Sequence, residues 1–420
     1  MEPIQKTTLA NGVRLLTKHI PHTRSVSMGI WVAVGARDES DPESGMAHFI
    51  EHMLFKGTRK RTGYQIAKAF DAIGGYTNAF TSMESTCYHA KVMDSRLDVM
   101  VDILADIFLN SLFADTEIEK ERPVIMQEIS MMEDSPEDYI HILSTNAFWK
   151  NNPLGRSVLG TRENIHRFDA AMTRRFFSSY YQPERIVISA AGNVNHNRFV
   201  DLLGNDFESI APQNGFPERV TPEGIAGVSI SVKELEQIHI SLNTKGVPVA
   251  DSSRYALSLI NTILGGNMSS RLFQQIRERE GLAYSVYSYA SSYEDTGLFG
   301  SYAATDPKDA ERAVKMIVDA MGQIKTSTVE PSELADAKEF TKGSLVLASE
   351  NIDNQMVRLA RNEIHFGRNI ALEEVLNAID AVTQADIQRL SRTIFDNKYL
   401  SMTLLGPVKN PLAFESLLNI

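Results

Sequence analysis

The sequence predicts an α+β protein of two homologous domains, each a mostly antiparallel sheet of about six strands covered by helices on one face. Strands and helices come in separate runs, which is typical of antiparallel sheets with helices packed on them. The runs follow the same order in both halves of the chain. Tyr76 and Tyr284 occupy matching positions 208 residues apart, and Val194 and Val408 match at 214. This nearly constant offset indicates an internal repeat.

The first half opens with residues that alternate between apolar and polar, the pattern of strands. Apolar residues at helical spacing from Leu97 to Ile107 predict a long helix later in this half. The expected elements, in order, are strands within residues 12–36, a helix at 46–55, strands within 76–92, helices from 96 to 149 and a closing strand at 185–194.

The second half repeats this order. Its expected elements are strands at 228–232 and 237–243, helices at 252–264 and 269–279, strands within 284–303, helices at 308–324 and 333–366, and a closing strand at 398–408. Residues 205–227 are rich in proline, glycine and acidic side chains, as linkers are. The predicted domains are therefore 1–204 and 228–420, joined by a linker at 205–227.

Composition and charge exclude several classes of protein. The net charge of −11 disfavours nucleic acid and anionic membranes as partners, because both need a positive surface. The single cysteine, Cys87, allows no internal disulfide and indicates a reducing compartment. The N-terminus lacks a secretory pattern, and the apolar stretch at 26–36 is shorter than the roughly 20 residues of a membrane span. We therefore expect a cytoplasmic protein that binds neither nucleic acid nor membrane.

A metal-binding pattern lies in the helix expected at 46–55. His48 and His52 are four residues apart, so their imidazoles lie on one helix face and can bind the same metal ion. Glu51 lies beside them and can take a proton from a metal-bound water without being a ligand. Apolar residues flank the motif, which indicates a buried helix. The pattern predicts hydrolytic metal chemistry.

The surroundings of this motif resemble a known signature. The stretch from Gly35 to Thr58, which includes Gly45 and Gly57, is similar to that of the inverted-motif zinc peptidases of the pitrilysin and insulysin type. The resemblance covers nearly the whole chain. The length with two repeats is closest to bacterial homologues of the mitochondrial processing peptidase beta subunit. The resemblance implies a zinc metalloendopeptidase with one Zn²⁺ per chain.

The same resemblance implies the rest of the metal site. Glu128, 76 positions after His52, corresponds to the third zinc ligand, and Glu121 to a carboxylate that supports the ligands. A ligating histidine needs an acceptor for its second ring N–H, which gives Glu121 its role. Glu121 and Glu128 are seven residues apart and share a helix face if the helix is continuous. Pro123 between them predicts a kink or a new helix start.

The resemblance also implies residues that contact the substrate. An edge strand would bind an extended peptide through backbone pairing, and it contains Asn78, Ala79, Phe80 and Thr81. Arg277 and Tyr284 resemble the pair with which the second half of such proteins polarises the scissile carbonyl. We therefore expect an endopeptidase that cleaves extended or unfolded peptides, including presequence-like ones, inside a closed chamber. One chain carries both the metal ligands and the pair of Arg277 and Tyr284, so it needs no separate regulatory subunit to complete the site. We therefore expect a homodimer.

One part of the pattern departs from the processing peptidases. These enzymes carry an acidic pair after the third ligand that holds an arginine before the cut. The corresponding positions are Asp138 and Ile142, so one carboxylate is kept and the other is replaced by an apolar side chain. Asp138 is the expected substrate contact, and a strict preference for arginine is not expected.

Two alternatives remain open from the sequence. The chain could be a non-catalytic core subunit of the kind found in respiratory complexes, although such subunits are expected to have lost the metal ligands. It could instead be a partner-dependent catalytic half of a hetero-oligomer, although Arg277 and Tyr284 make a separate supplier of that pair unnecessary.

Overall fold

The structure, a computed structural model, describes residues 4–212 and 215–420. They form two compact units, neither of which is continuous in sequence. The first unit consists of residues up to 130 together with 156–219 and 347–369. The second consists of 131–155, 220–346 and 370–420.

The first unit contains a six-stranded sheet with the order β1-β2-β6-β3-β5-β4. Only β2 and β6 pair in parallel, and the other neighbours are antiparallel. The strand β4 lies at an edge of the sheet. The six strands are β1 (Gln5–Thr8), β2 (Arg14–His19), β3 (Ser25–Val32), β4 (Tyr76–Thr81), β5 (Thr86–Met93) and β6 (Ile186–Gly192).

The second unit contains a five-stranded sheet with the order β7-β11-β8-β10-β9. Its strands are β7 (Gly227–Val232), β8 (Ile238–Lys245), β9 (Ala283–Ser292), β10 (Gly297–Thr305) and β11 (Ser401–Gly406). Taken in chain order, they repeat the arrangement of β2 to β6, including the single parallel pair, here β7 with β11. The predicted repeat of two mixed, mostly antiparallel sheets is therefore confirmed, with β1 added to the first.

The first half of the chain forms eight α-helices within the described residues. They are α1 (Met46–Leu54), α2 (Gly63–Ala72), α3 (Leu97–Asn110), α4 (Asp115–Asp134), α5 (Pro136–Phe148), α6 (Arg162–Arg167), α7 (Ala170–Tyr180) and α8 (His196–Glu208). Pro123 lies inside α4 and does not start a new helix, so Glu121 and Glu128 stand on one continuous element.

The second half forms seven more α-helices within the same described part of the chain. They are α9 (Arg254–Leu264), α10 (Ala310–Thr326), α11 (Pro331–Ser349), α12 (Ile352–Phe366), α13 (Leu372–Ala381), α14 (Gln384–Ile394) and α15 (Pro411–Glu415). Phe273–Arg279 is a π-helical segment. Of the helices that the structure describes, none has the length and apolar character needed to cross a bilayer.

Helices cover both faces of each sheet, so the prediction of one covered face is wrong. The central strands β3 and β6 are buried along nearly their whole length, which requires cover on both sides. On the second face of the first sheet, Trp31 and Cys87 pack against Met356 and Ala360 of α12. In the second unit, Ile140 of α5 packs against strands β10 and β11.

The helices α5 and α12 therefore belong to the unit formed mainly by the other half of the chain. The predicted bounds 1–204 and 228–420 describe the sequence repeat, whereas the compact units exchange one segment each. A continuous sequence pattern cannot reveal this exchange, because it depends on which sheet each helix packs against. The predicted linker at 205–227 begins inside α8, which ends at Glu208, and its residues 213 and 214 lie outside the described part of the chain, as do residues 1–3.

Candidate metal centre

Helix α1 starts from a buried cap that fixes its position. The two carboxylate oxygens of Glu39 accept hydrogen bonds from the backbone N–H groups of Gly45 and Ala47, each at 2.7 Å. Gly45 has φ of 98°, and a Cβ there would lie 2.9 Å from the backbone of Gly160, so only glycine fits. Burial raises the pKa of Glu39 well above its usual range, against the effect of the two N–H donors.

Three side chains of the first unit direct donor atoms at one point. The Nε2 atoms of His48 and His52 are 3.2 Å apart. The Oε2 atom of Glu128, which reaches them from α4, is 3.5 Å from each of these nitrogens. Of the described residues, His48, His52 and Glu128 form the cluster whose donor atoms could hold a metal ion. The structure thus brings together the three residues expected to be ligands.

The spacing and the chemistry of these donors fit zinc. Ligands at about 2.1 Å from a tetrahedral Zn²⁺ are roughly 3.4 Å from one another, close to the distances between the three donors. Glu128 Oε2 is buried and accepts no hydrogen bond from the described residues, although it lies near two imidazoles. A buried carboxylate oxygen is costly without a partner, and a cation bound between the three side chains would supply one.

The two histidines differ in their electrostatic surroundings. Burial, followed by the neighbouring His52, lowers the pKa of His48 to about 3, so its imidazole is neutral. Burial also acts to lower the pKa of His52, but the hydrogen bond to Glu121 and the charges of Glu128, Glu121 and Glu51 together raise it. A metal ligand must be a neutral imidazole, so binding of a cation would release a proton from any protonated His52.

Glu121 contacts His52 at Nδ1, whereas the Nε2 atom of the same ring faces His48 and Glu128. Its Oε1 is 2.8 Å from His52 Nδ1, and its Oε2 is 2.5 Å from the Lys56 ammonium. Burial acts to raise the pKa of Glu121, but the hydrogen bonds from His52 and Lys56 outweigh it and the pKa is lowered. A carboxylate that accepts the second ring N–H orients a ligating histidine and increases its basicity. The position predicted for Glu121 agrees with this geometry.

Glu51 also lies in this part of the first unit and makes a specific contact. Its Oε2 accepts a hydrogen bond of 2.6 Å from the hydroxyl of Thr81, at the end of β4. Burial raises the pKa of Glu51, while the hydrogen bond from Thr81 opposes the shift. A carboxylate in such a position can take a proton from a nucleophilic water.

Residues 78–81, predicted to bind the substrate, lie on the edge strand β4, and their role toward a substrate stays a prediction. Asn78 is exposed, and its side-chain amide donates to the hydroxyl of Tyr76 at 3.3 Å. Ala79 packs on the core below the sheet, and Phe80 packs against Trp31 with ring centroids 5.5 Å apart. The free edge of β4 can pair with an extended peptide.

Arg277, Tyr284 and Asp138 belong to the second unit. The guanidinium of Arg277 lies 4.4 Å from the centre of the Tyr284 ring and 4.7 Å from that of Phe273. Tyr284 as a whole is 78% exposed. Asp138 lies in the first turn of α5 and accepts a hydrogen bond of 2.6 Å from Ser135. Their roles toward a substrate stay predictions.

Sequence reasoning missed three features of the site. These are the cap that Glu39 gives to α1, the ion pair of Lys56 with Glu121, and the bond from Thr81 to Glu51. Lys56 lies two residues beyond the end of α1, so the signal that could have indicated a carboxylate partner is its positive charge close to His52. The other two contacts join residues that no local pattern connects.

Models of two protein families match most of the chain. The model described as insulinase, peptidase family M16, matches residues 14–162. The model described as the peptidase M16 inactive domain matches residues 167–340. The first match contains the cluster of His48, His52 and Glu128.

Curated relatives match the chain along nearly its full length. The uncharacterized zinc protease YmxG of Bacillus subtilis is 39% identical over 97% of this chain and 99% of its own. An uncharacterized zinc protease of Streptomyces coelicolor is 38% identical over 98% of this chain and 91% of its own. One from Rickettsia felis is 37% identical over 95% of this chain and 96% of its own.

Solved structures share the fold at lower identity. A protease from Helicobacter pylori superposes with a TM-score of 0.91 at 22% identity, covering 96% of this chain and all of that one. A peptidase M16 inactive domain from Pseudomonas fluorescens gives 0.89 at 18% identity, covering 97% of this chain and all of that one. These matches confirm the predicted fold class of an α+β protein with two domains, each a sheet with helices packed on it.

Proposed function

The chain belongs to the insulinase family of peptidases, family M16, and on this premise we propose that it is a zinc-dependent endopeptidase that cleaves extended or unfolded peptides. The observation that carries the proposal is the convergence of His48, His52 and Glu128 beside Glu51. The names of the relatives support zinc, and we propose one Zn²⁺ per chain. The particular resemblance to bacterial homologues of the mitochondrial processing peptidase beta subunit stays a prediction.

Each group of the site has a chemical task in this proposal. His48, His52 and Glu128 would hold the metal, and Glu121 keeps His52 in its ligating orientation. When bound, Zn²⁺ supplies a Lewis acid that lowers the pKa of a water molecule and polarises a carbonyl group. Glu51 would take a proton from the attacking water and pass it to the leaving amine.

Two parts of the substrate would be bound by other residues. The edge of β4, with Asn78, Ala79, Phe80 and Thr81, would pair with the backbone of an extended peptide. Tyr284 and Arg277 carry a hydroxyl and a guanidinium, which are donors suited to a developing oxyanion. Asp138 would contact a basic side chain of the substrate, and the replacement of its expected partner by Ile142 argues against a strict requirement for arginine.

The assembly is proposed on the same basis. A chain that contains both halves needs no second subunit to supply Arg277 and Tyr284, which supports a homodimer with a closed chamber. A mass measurement in solution at several protein concentrations tests this, and full activity of a strict monomer would contradict it. The cytoplasmic location also stays a prediction.

The test of the proposed function compares wild type with Glu51→Gln for zinc content and for cleavage of a quenched, arginine-containing presequence-like peptide. We expect about one zinc per chain in both proteins, and a loss of cleavage of roughly 10²- to 10⁴-fold only in the variant, the usual effect of removing a general base. Glu163→Gln, an exposed change in the same unit, serves as the control.

Other outcomes separate the alternatives. Retained cleavage in Glu51→Gln would refute the role of Glu51. Zinc bound by both proteins without cleavage by either would favour the partner-dependent subunit. Absence of zinc from the wild type would favour the non-catalytic subunit, against which the intact cluster of His48, His52 and Glu128 now argues.

A further inference from the structure

We propose that Thr81 is a positioning residue for Glu51, and that its hydroxyl selects which carboxylate oxygen receives the proton in the reaction. This inference rests on the proposed function. It differs from the sequence-based expectation for Thr81, which is a contact with the substrate. The observation behind it is the 2.6 Å hydrogen bond from Thr81 Oγ1 to Glu51 Oε2.

The direction of the Thr81 side chain follows from the pleat of β4. Alternate residues of a strand share a face, so Thr77, Ala79 and Thr81 point one way and Asn78 and Phe80 the other. Ala79 packs on the core that contains α1, whereas Phe80 packs on Trp31 on the opposite face. Thr81 therefore points toward the helix that carries Glu51, and not out from the strand edge.

Hydrogen bonds and an ion pair hold the end of β4, and they restrict the position of the Thr81 hydroxyl. The loop before α1 pairs with the turn that follows Thr81, through bonds from Ala36 N to Ser82 O at 3.1 Å and from Arg37 N to Met83 O at 2.8 Å. The Arg37 guanidinium also pairs with Glu84 at 2.6 Å, and both side chains are buried. A threonine has a restricted χ1, which adds to this rigidity.

The hydrogen bond from Thr81 makes the two carboxylate oxygens of Glu51 unequal, because only Oε2 accepts it. Oε2 accepts a short O–H···O⁻ bond, a strong type of hydrogen bond. Oε1 is then the oxygen left to take the proton from the attacking water. Without the hydroxyl, the carboxylate could rotate about its last torsion, which is broad for glutamate. A misplacement of about 1 Å can cost on the order of 10²-fold in rate.

Three variants test the inference with zinc-loaded protein and the quenched peptide. For Thr81→Val, which keeps the shape and removes the hydroxyl, we expect kcat to fall roughly 10- to 100-fold with KM within about twofold. Thr81→Ser restores the hydroxyl, so kcat should return to within about threefold of wild type. Thr23→Val removes a hydroxyl that donates to backbone carbonyls in the turn between β2 and β3, away from β4, and should leave both constants unchanged.

Two further measurements do not depend on turnover. Affinity for the same peptide is measured with Thr81→Val in the Glu51→Gln background, where cleavage is too slow to deplete the peptide during the measurement, and we expect no change in Kd. Crystal structures of zinc-bound wild type and Thr81→Val give the position of the Glu51 side chain. It should occupy one position in the wild type, and it should move or occupy two positions in the variant.

The outcomes distinguish this inference from the proposed function. A weaker Kd in the double variant, or a raised KM with unchanged kcat, would show that Thr81 binds substrate and would overturn the positioning role. Glu51 in an unchanged position in the Thr81→Val structure would overturn it as well. If the wild type does not cleave, the proposed function fails, and the crystal structures still decide the position of Glu51.

Discussion

Helix α1 of the first unit and helix α9 of the second hold the same place in the repeat, after the corresponding strands β3 and β8. Helix α1 carries His48, Glu51 and His52, whereas α9, with the sequence RYALSLINTIL, contains no histidine and no carboxylate side chain. Six of the seven buried residues of α9 are apolar. The comparison shows that the fold needs only a largely apolar helix here, and that the histidines and the carboxylate are particular to the first unit. The description of residues 167–340 as an inactive domain agrees with this difference.

The two helices also start differently. The first turn of α1 is buried, and the Glu39 carboxylate satisfies two of its backbone N–H groups. Helix α9 starts near solvent, where the exposed Asp251 accepts hydrogen bonds from the backbone and hydroxyl of Ser253. The helix that carries the candidate metal ligands is therefore anchored at a buried end, whereas its counterpart starts at an exposed turn.

The strongest test of the comparison concerns the exchanged helices. Met356→Ala on α12 should destabilise the first sheet, because Met356 is buried there and accepts a hydrogen bond from the Trp31 indole at 3.4 Å. Ile140→Ala on α5 should destabilise the second sheet in the same way. We expect each to cost about 2–5 kcal/mol, the usual range for such truncations.

Hydrogen exchange of the strands measures both effects separately. Met356→Ala should lower protection mainly in β3 and β6, and Ile140→Ala mainly in β10 and β11. If each variant instead weakened the sheet formed by its own half of the sequence, the exchange of helices would be contradicted.

The second test compares the two helix starts. Glu39→Ala leaves the N–H groups of Gly45 and Ala47 without their acceptor in a buried place, which should cost roughly 1–3 kcal/mol of unfolding free energy. Asp251→Ala removes an exposed acceptor and should cost less than about 1 kcal/mol. Urea unfolding of both variants measures the difference. Equal losses would refute the special role of the buried cap.

The third test addresses Glu121, the carboxylate that contacts His52 in the candidate metal centre. Glu121→Gln weakens the acceptor for His52 Nδ1, so zinc affinity should fall by roughly 10- to 100-fold. Glu119→Gln changes an exposed residue on the same helix and provides the control. Competition with a chelator gives both affinities. Unchanged affinity in Glu121→Gln would show that the contact does not tune the metal site.

The smallest effect concerns a surface cap of the second unit. The hydroxyl and backbone of Thr383, with Arg389, lower the pKa of Asp386 to about 2 from 3.8. A lowered pKa means that the contribution to stability is present above the unfolded-state value and disappears as pH falls toward 2. Stability should therefore decrease between pH 4 and 2 by slightly more in wild type than in Asp386→Asn. Identical pH profiles would exclude this contribution.

Local patterns in the sequence predicted much of this molecule. The spacing of His48 and His52 on one helix, the apolar face of α3 and the alternation of the edge strand β7 depend on residues close together in the chain, and all are found in the structure. The central strand β3 does not alternate, because it is buried on both faces. The repeat of element order predicted two similar sheets. The resemblance of the motif to a peptidase signature added Glu128 and Glu121, which the structure places at the histidines.

Tertiary structure alone decided the remaining features. The bond from Thr81 to Glu51 and the cap of Glu39 on α1 need the sheet and the loop to be in place. The exchange of α5 and α12 depends on which sheet offers an uncovered apolar face, and no local pattern in either helix specifies that sheet. The physical reason is range: periodicity specifies which face of an element is buried, but packing between distant elements determines what that face contacts.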